Sequence, residues 1–212
     1  AVCYVALESA KLNNVMKATS IRMWWLILFM PIMLMLNGCS GRIIPPQPPE
    51  SPRAVFVLDH GHHSSLIIED KQGDMTRYSY GDWRYYAEGN TGIWSGLRAL
   101  FVPTQAGLGR KQLSGPASIE NIHNQITVVI ANAVSIEAEA KAVDDLQLKL
   151  EKIYRQNQGQ QIYHGTFDLY FVPYPKPYSF WHNSNHMLGQ WLSELGTDIH
   201  GWPLFSNWQL QP

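Results

Sequence analysis

Short runs of apolar and β-branched residues, separated by turn residues, constrain the fold of this chain more than any other feature. Ala54–Leu58 (AVFVL) and Ser65–Glu69 (SLIIE) are typical of strands, and Lys71–Asp74 (KQGD) is typical of a turn. Similar runs predict three more strands, at Thr76–Tyr80, Ile126–Ala131 and Phe167–Val172. We therefore expect a sheet at the centre of the domain.

Three other stretches have the spacing of helices. Gly92–Phe101 carries apolar residues at helical intervals, and Ser135 is predicted to cap a long amphipathic helix that ends near Gln156. Ser184–Leu195 presents one apolar face and forms the predicted final helix. The order of several strands, a long helix, a strand and a last helix predicts an α+β fold, with helices packed on a central antiparallel sheet.

The N-terminal part of the chain reads as a leader for export. Residues 23–36 (MWWLILFMPIMLML) carry no charge, and Lys17 and Arg22 precede them. Fourteen apolar residues are too few for a bilayer-spanning helix, which needs about 20, but suit the core of a signal peptide. Leu36-Asn37-Gly38-Cys39 then resembles a bacterial lipobox, in which the cysteine receives a diacylglycerol. The alternative is an uncleaved membrane anchor that ends near Cys39.

These patterns predict three parts in the chain. Residues 1–38 are an upstream extension and lipoprotein signal peptide, and residues 39–53 are a lipid-anchored spacer that holds five prolines. Residues 54–212 form the α+β domain. Ser40 follows the cysteine, which by resemblance to Gram-negative lipoproteins favours the outer membrane, with the domain facing the periplasm. The net charge of −1 at pH 7 leaves no basic field for nucleic acid.

Two short motifs are candidates for chemistry. HGHHS (60–64) lies at the junction of two predicted strands, and NSNH (183–186) lies at the start of the last predicted helix. A helix N-terminus stabilises a thiolate or an oxyanion, and a histidine opposite it can act as a general base. A base on a strand that faces a nucleophile at a helix start is the arrangement of papain-like hydrolases.

Four sequence blocks carry a family resemblance, and they occur in the family's order. AVFVLDHGHHSSLIIE, YSYGDW, GLRALFVPT and NSNHMLGQWLSELG are similar to the HGxHTG, FGWGD, LRALFWPT and TCNTW blocks of a poorly characterised family of bacterial envelope proteins. That family looks related to the NlpC-type papain-like superfamily in its circularly permuted form. The resemblance implies a permuted papain-like domain with His63 as base and Ser184 at the nucleophile position. Asp82, which matches the family's GD block at the end of a predicted strand, could orient His63 as a third catalytic member or could simply form the turn after Gly81.

The nucleophile position departs from the family, because Ser184 stands where the family has cysteine. A serine hydroxyl is much harder to deprotonate than a thiol of pKa about 8.5, and a helix dipole contributes only about 0.3–1 kcal/mol. Ser184 is therefore a helix N-cap, a weak nucleophile, or part of a cleft that binds without turnover. If residues 1–38 are removed, Cys39 is the only cysteine left, and its acylation would exclude it from catalysis.

Other candidates concern ligands. His60, His62 and His63 suggest a metal, but their spacing lacks the usual zinc pattern, so neither a metal nor a cofactor is predicted. Aromatic residues around the two motifs could line a substrate groove that stacks on sugar rings or holds a peptide, although ordinary core packing is the favoured explanation, because aromatic residues dominate cores. The groove residues predicted in this way are Trp83, Tyr178, Trp181 and Asn185.

Two functions remain open from the sequence. One is a degenerate papain-like domain that binds envelope material or a protein partner. The other is a serine-dependent amide or ester hydrolase that acts on peptidoglycan peptides or lipid acyl groups. In both, the partners are the membrane, reached through the N-terminal lipid, and a component of the envelope such as peptidoglycan.

Overall fold

The computed structural model describes residues 41–61, 63–90, 92, 102–201, 203 and 206–211. They form a mixed fold with a large antiparallel sheet and few helices, which confirms the α+β prediction. The strands are β1 (Gly41–Ile44), β2 (Pro52–Asp59), β3 (Ser64–Glu69), β4 (Met75–Asp82), β5 (Thr104–Leu113), β6 (Asn132–Glu139), β7 (Ile162–His164), β8 (Leu169–Tyr178), β9 (Asp198–Gly201) and β10 (Gln209–Leu210). The helices are α1 (Ile119–Gln125), α2 (Ala140–Gln156) and α3 (Ser184–Glu194), with a π-helical turn at Trp83–Ala87 and a 3₁₀ turn at Gln158–Gln160.

Within the described residues, seven strands form the main sheet in the order β6-β2-β3-β4-β5-β8-β7. Every neighbouring pair is antiparallel, and Val55 in β2 lies between Ile68 of β3 and Ile136 of β6. The strands β2 to β5 follow one another in sequence and in space, which is the usual result of short connections. The predicted strands at 54–58, 65–69 and 76–80 are confirmed as parts of β2, β3 and β4.

The two faces of the sheet are covered by different elements because side chains alternate along each strand. Val55 and Val57 belong to the core cluster that contains the buried faces of α2 and α3. Phe56 and Leu58 belong to the cluster that contains Ile122 of α1. A third cluster, called the aromatic cluster below, lies at one end of the sheet. Its members are Trp83, Tyr86, Ala87, Phe167, Leu169 and Phe171.

The first strand corrects the predicted spacer. Gly41–Ile44, assigned from the sequence to a proline-rich spacer, forms β1, which pairs with β9 and β10 in a small second sheet. Ile43 is fully buried in the main core. A side-chain carbon added at Gly41 would lie 2.5 Å from Cζ3 of Trp208, so only glycine lets the two approach so closely. The burial of Ile43 stabilises this pairing, which composition alone does not reveal.

A second correction concerns the long helix. Ser135 lies inside β6, opposite Phe56, and α2 begins at Ala140 after Glu139. The predicted strand at 126–131 is wrong, because the strand comes six residues later at Asn132–Glu139. Val134, Ile136 and Ala138 are buried alternately, which is the period of a strand. Residues 136 and 140 fit a helical stripe as well, so the sequence pattern was ambiguous at this boundary.

The last helix is close to its prediction, since α3 spans Ser184–Glu194. The predicted strand at Phe167–Val172 is confirmed in part as β8. The helix predicted for Gly92–Phe101 lies, except for Gly92, outside the described residues. In the part of the chain that the structure describes, no helix is long and apolar enough to cross a membrane.

We expect Ile43→Ala to lower the free energy of unfolding by about 3 kcal/mol, because it removes a fully buried side chain from the core. Arg42→Ala is the matched control, since Arg42 is exposed on the same strand and should change stability by less than about 0.5 kcal/mol. Urea denaturation of the purified proteins measures both. Equal stability of Ile43→Ala and the unmodified chain would mean that residues 41–44 are a spacer after all.

Candidate functional site

The structure brings the two candidate motifs into contact, although 121 residues separate the side chains that meet. Ser64 at the start of β3 donates a hydrogen bond of 2.9 Å from its hydroxyl to Oδ1 of Asn185 in α3. Nε1 of Trp208 donates to the same hydroxyl oxygen at 2.8 Å. All three side chains are buried. The beginning of β3 and the beginning of α3 are therefore held together by polar contacts inside the protein.

Asn183, rather than Ser184, is the N-cap of α3. Its Oδ1 accepts hydrogen bonds from the backbone N–H groups of Asn185 at 3.0 Å and His186 at 3.1 Å. The Nδ1 atom of His186 lies 3.0 Å from the same oxygen. Asparagine is among the best N-cap residues, because its short side chain reaches the second and third amides of the helix. Ser184 is the first residue of α3 and is buried, and two amides that could stabilise an oxyanion already bind Asn183.

The ring of His63 packs among other rings. Its centroid lies 5.4 Å from that of Tyr86, 5.7 Å from that of Phe167 and 5.1 Å from that of His60. Tyr86 and Phe167 belong to the aromatic cluster, together with Phe171 of β8. The next residue, Val172, belongs instead to the core that contains α3. The aromatic cluster is thus on the sheet face away from α3, whereas Ser64, the neighbour of His63, points toward α3.

Asp82 holds the turn that follows β4. One oxygen of its buried carboxylate accepts the backbone N–H of Tyr85 at 2.8 Å, and the other accepts the hydroxyl of Thr104. The ring of Tyr86 occupies the space where a side chain of Gly81 would project, so this position requires glycine. The Gly-Asp pair therefore positions Tyr86 against His63. The catalytic roles predicted for His63, Ser184 and Asp82 stay predictions.

A buried network of three side chains was missed by the sequence analysis. Arg77, in the middle of β4, is fully buried. Its Nε donates to the hydroxyl of Ser65 at 3.0 Å, its Nη1 donates to the carbonyl of Phe167 at 3.1 Å, and its Nη2 lies 3.1 Å from Nε2 of His60. The only sequence signal for it was an arginine in the centre of a predicted strand, where charged residues are rarely fully buried unless they are paired.

The same network determines the protonation of His60. Nδ1 of His60 lies 2.8 Å from the carbonyl of Val129, which can only accept, so this nitrogen carries the proton. Nε2 then accepts from the hydroxyl of Ser65 at 2.8 Å. Burial, followed by the charge of Arg77, lowers the pKa of His60 to about 4. Burial also lowers the pKa of Arg77 to about 10, which leaves the guanidinium charged at neutral pH.

The Ser65–His60 pair has the spacing of a nucleophile and its base, but it is not a reaction centre. Ser65 is fully buried, so a substrate carbonyl has no path to its hydroxyl. The N–H donated by Arg77 also occupies the hydroxyl oxygen. The network instead connects the loop after β2 to β4, to Val129 and to the segment before β8, and it keeps a buried charge hydrogen-bonded.

The four residues predicted to line a groove differ in their exposure. Asn185 is a buried residue in the first turn of α3. Trp83 packs with the aromatic cluster and donates from Nε1 to Glu88 at 2.9 Å. Tyr178 is half-buried and stacks on Tyr80 with ring centroids 5.9 Å apart. Trp181 differs from the other three, because 68% of its surface is exposed.

Two of the grooves on the described surface lie beside helices. The larger, about 950 Å³, runs along α2, and most of its charged side chains form ion pairs with one another. Arg110 and Glu151 are 2.5 Å apart there, and Glu151 also accepts the hydroxyl of Tyr78 at 2.7 Å. The smaller, about 430 Å³, runs along α3 beside Trp181. No group of three or more metal-binding side chains is found among the described residues, and His62 lies outside them.

Comparisons of this chain with protein-family models, with curated proteins and with solved structures find no match. The family resemblance of the four sequence blocks therefore stays a prediction. The same holds for lipidation of Cys39, which lies outside the described residues.

The pKa of His60 makes stability depend on pH. The group has a pKa of about 4 when folded and about 6.5 when unfolded, so its stabilising contribution is present above pH 6.5 and is lost as pH falls toward 4. The loss amounts to up to about 3 kcal/mol over this range. We expect His60→Gln to flatten this part of the curve, measured by urea denaturation from pH 7.5 to 4.

The matched control for this experiment is His123→Gln, because His123 is exposed. It should reproduce the pH dependence of the unmodified chain. If His60→Gln also reproduces that dependence, the neutral, buried state assigned to His60 is wrong.

Proposed function

We propose that this chain is a membrane-anchored lipoprotein of the bacterial envelope whose papain-like domain binds envelope material without hydrolysing it. The observation that carries the proposal is the position of the His63 ring. Its contacts with Tyr86 and Phe167 lie on one face of the sheet, and α3, which carries Ser184, packs on the opposite face. A base must lie within about 2.6–3.2 Å of the proton that it removes, or reach it through one water.

The contacts of Asp82 also support binding rather than catalysis. In a serine hydrolase, the acid of the triad orients the histidine through a hydrogen bond. Both carboxylate oxygens of Asp82 accept other donors, the N–H of Tyr85 and the hydroxyl of Thr104. A serine needs strong base assistance, because its hydroxyl is a far weaker acid than a thiol. These contacts give Asp82 a structural role in the turn after β4, which favours binding over serine-dependent hydrolysis.

The contact between β3 and α3 supports the permuted papain-like assignment. In that fold, a histidine motif on a strand lies beside the N-terminus of the helix that carries the nucleophile position. Here Ser64, which follows His63, binds Asn185, which follows Ser184. The large antiparallel sheet with α2 and α3 on one face agrees with the same architecture.

The proposed membrane anchor is inferred from the N-terminal leader sequence. An uncharged apolar core, the basic residues before it and the lipobox-like Leu36–Cys39 together favour lipidation of Cys39. The domain would then face the periplasm from the outer membrane, with envelope polymers such as peptidoglycan within its reach.

The domain should bind peptidoglycan sacculi but not cleave them. We expect the unmodified chain and Ser184→Ala to sediment with sacculi equally, and to release products from peptidoglycan fragments and acyl esters only at the background rate. The assay follows products by mass spectrometry, with Ser135→Ala as control, because Ser135 is an exposed serine of β6.

Two outcomes would contradict this proposal. Hydrolysis by the unmodified chain that Ser184→Ala abolishes and Ser135→Ala preserves would make the protein a serine hydrolase. Hydrolysis gained by Ser184→Cys would mean that a base still reaches position 184. That result would overturn the argument from the His63 ring.

The anchor is tested separately. The mature N-terminal peptide should begin at Cys39 and carry acyl chains, as seen by mass spectrometry of the membrane fraction. Cys39→Ser should stop both lipidation and cleavage at this site, whereas Ser40→Ala should preserve them. A mature protein that begins elsewhere, without acyl chains, would reject the lipoprotein assignment.

A further inference from the structure

Trp181 exposes 68% of its surface. This is the largest exposed fraction of any phenylalanine, tyrosine or tryptophan side chain among the described residues. An exposed apolar residue by itself needs no explanation. Trp181 is distinguished by its support and its surroundings. Phe180 packs edge-on against it with ring centroids 5.2 Å apart, and a groove begins beside it.

The groove, called the Trp181 groove below, has a volume of about 430 Å³, within the range of small-molecule sites. One wall is α3, where His186, Gln190 and Glu194 follow one another at intervals of four residues and so line one ridge of the helix. The remaining lining residues are Trp181, Gly189, Ser193, Ile199 and Pro203. The groove therefore combines one indole ring with a row of polar side chains.

Two side chains of this row, His186 and Glu194, are held in place by their own contacts. Nδ1 of His186 lies 3.0 Å from Oδ1 of the N-cap Asn183. Lys149 donates to both carboxylate oxygens of Glu194 at 2.6 and 2.8 Å. Prior positioning lowers the entropic cost of binding a ligand.

The charges of the groove favour an uncharged ligand. Lys149 offsets the carboxylate of Glu194. Burial and then the charge of His182 lower the pKa of His186, so its ring is neutral at pH 7. Neither a phosphate nor a strongly cationic group would find an unpaired opposite charge in the described lining.

Sugars match this combination of groups. A pyranose ring has one face of C–H groups, which packs on the electron-rich face of an indole, and hydroxyls at its edge. An amide, an imidazole, a hydroxyl and a carboxylate supply both donors and acceptors for such hydroxyls.

We propose that the Trp181 groove binds a hexopyranose unit of an envelope glycan, with the sugar face on the Trp181 ring and its hydroxyls along α3. This inference rests on the proposed function, because it names the part of the envelope material that the domain holds. It assigns recognition to the glycan strand rather than to the stem peptide of peptidoglycan.

The test uses the full chain, purified in detergent, and two probes. The first is a soluble tetramer of β-1,4-linked N-acetylglucosamine, titrated by calorimetry, and the second is a set of sedimented sacculi, either intact or stripped of their peptides. We expect Trp181→Ala to weaken binding of both probes at least tenfold, about 1.4 kcal/mol. Trp181→Phe should lose less, because it keeps an aromatic face, and Gln190→Ala should weaken binding of the tetramer.

Tyr163→Ala is the matched control. Tyr163 is also an exposed aromatic residue, 52% accessible, and it packs on Tyr170 at the β7 edge of the main sheet. Its replacement should leave the binding of both probes unchanged. Circular dichroism and urea denaturation confirm that each variant is folded.

The outcomes separate this inference from the proposed function. Equal binding by Trp181→Ala and the unmodified chain overturns the inference, as does sedimentation with intact sacculi but not with peptide-free sacculi. In both cases binding to the envelope stands. Trp181-dependent flotation with phosphatidylethanolamine and phosphatidylglycerol vesicles, without binding to the tetramer, would make Trp181 a membrane contact and overturn the inference. If the unmodified chain binds neither kind of sacculus, the inference and the proposed function both fail.

Discussion

The hydrogen bonds of the Ser64 hydroxyl join three parts of the molecule. The packing of the last helix and of the small sheet against the main sheet depends on them. Ser64 begins β3, Asn185 lies in the first turn of α3, and Trp208 comes from the C-terminal segment. Trp208 in turn packs against Gly41, where β1 begins. One buried hydroxyl therefore connects the main sheet, the last helix and the small sheet. Removing one partner would leave buried polar groups unsatisfied, which costs about 1–3 kcal/mol per group.

The direction of Ser64 also has a consequence for function. Side chains alternate along a strand, so a residue that points toward α3 is preceded by one that points away from it. The ring of His63 accordingly lies among the rings of the aromatic cluster. The nearby Gly81 and Asp82 serve this packing, since they hold the turn that positions Tyr86. Motifs that resemble those of an enzyme here maintain a packed structure, which is why we favour binding over hydrolysis.

The Arg77 network shows how the protein accommodates a charge inside the sheet. A guanidinium without a directly bonded carboxylate is costly to bury, and hydrogen bonds from Arg77 to Ser65, Phe167 and His60 offset that cost. Burial, and then the charge of Arg77, lower the pKa of His60, so a histidine that the sequence offered as a metal ligand is a neutral structural residue at pH 7. Trp181 and the outer ridge of α3 lie at the surface, where we propose that the ligand binds.

The sequence by itself determined the fold class, the strands β2, β3, β4 and part of β8, and the last helix, because alternation over β2, β3 and β4 and the apolar face of α3 are local signals. It also predicted that the motifs at 60–64 and 183–186 would meet. Only the tertiary structure decided that Gly41–Ile44 joins the domain, that β6 extends through Ser135, and that His63 points away from α3. Each of these depends on a partner distant in sequence, namely Trp208 for Gly41, Phe56 for Ser135, and Tyr86 and Phe167 for His63. The free energy gained by burying a side chain against such a partner outweighs the local preference of the chain for a helix, strand or loop. It cannot be predicted from the composition of the chain or from the spacing of its apolar residues.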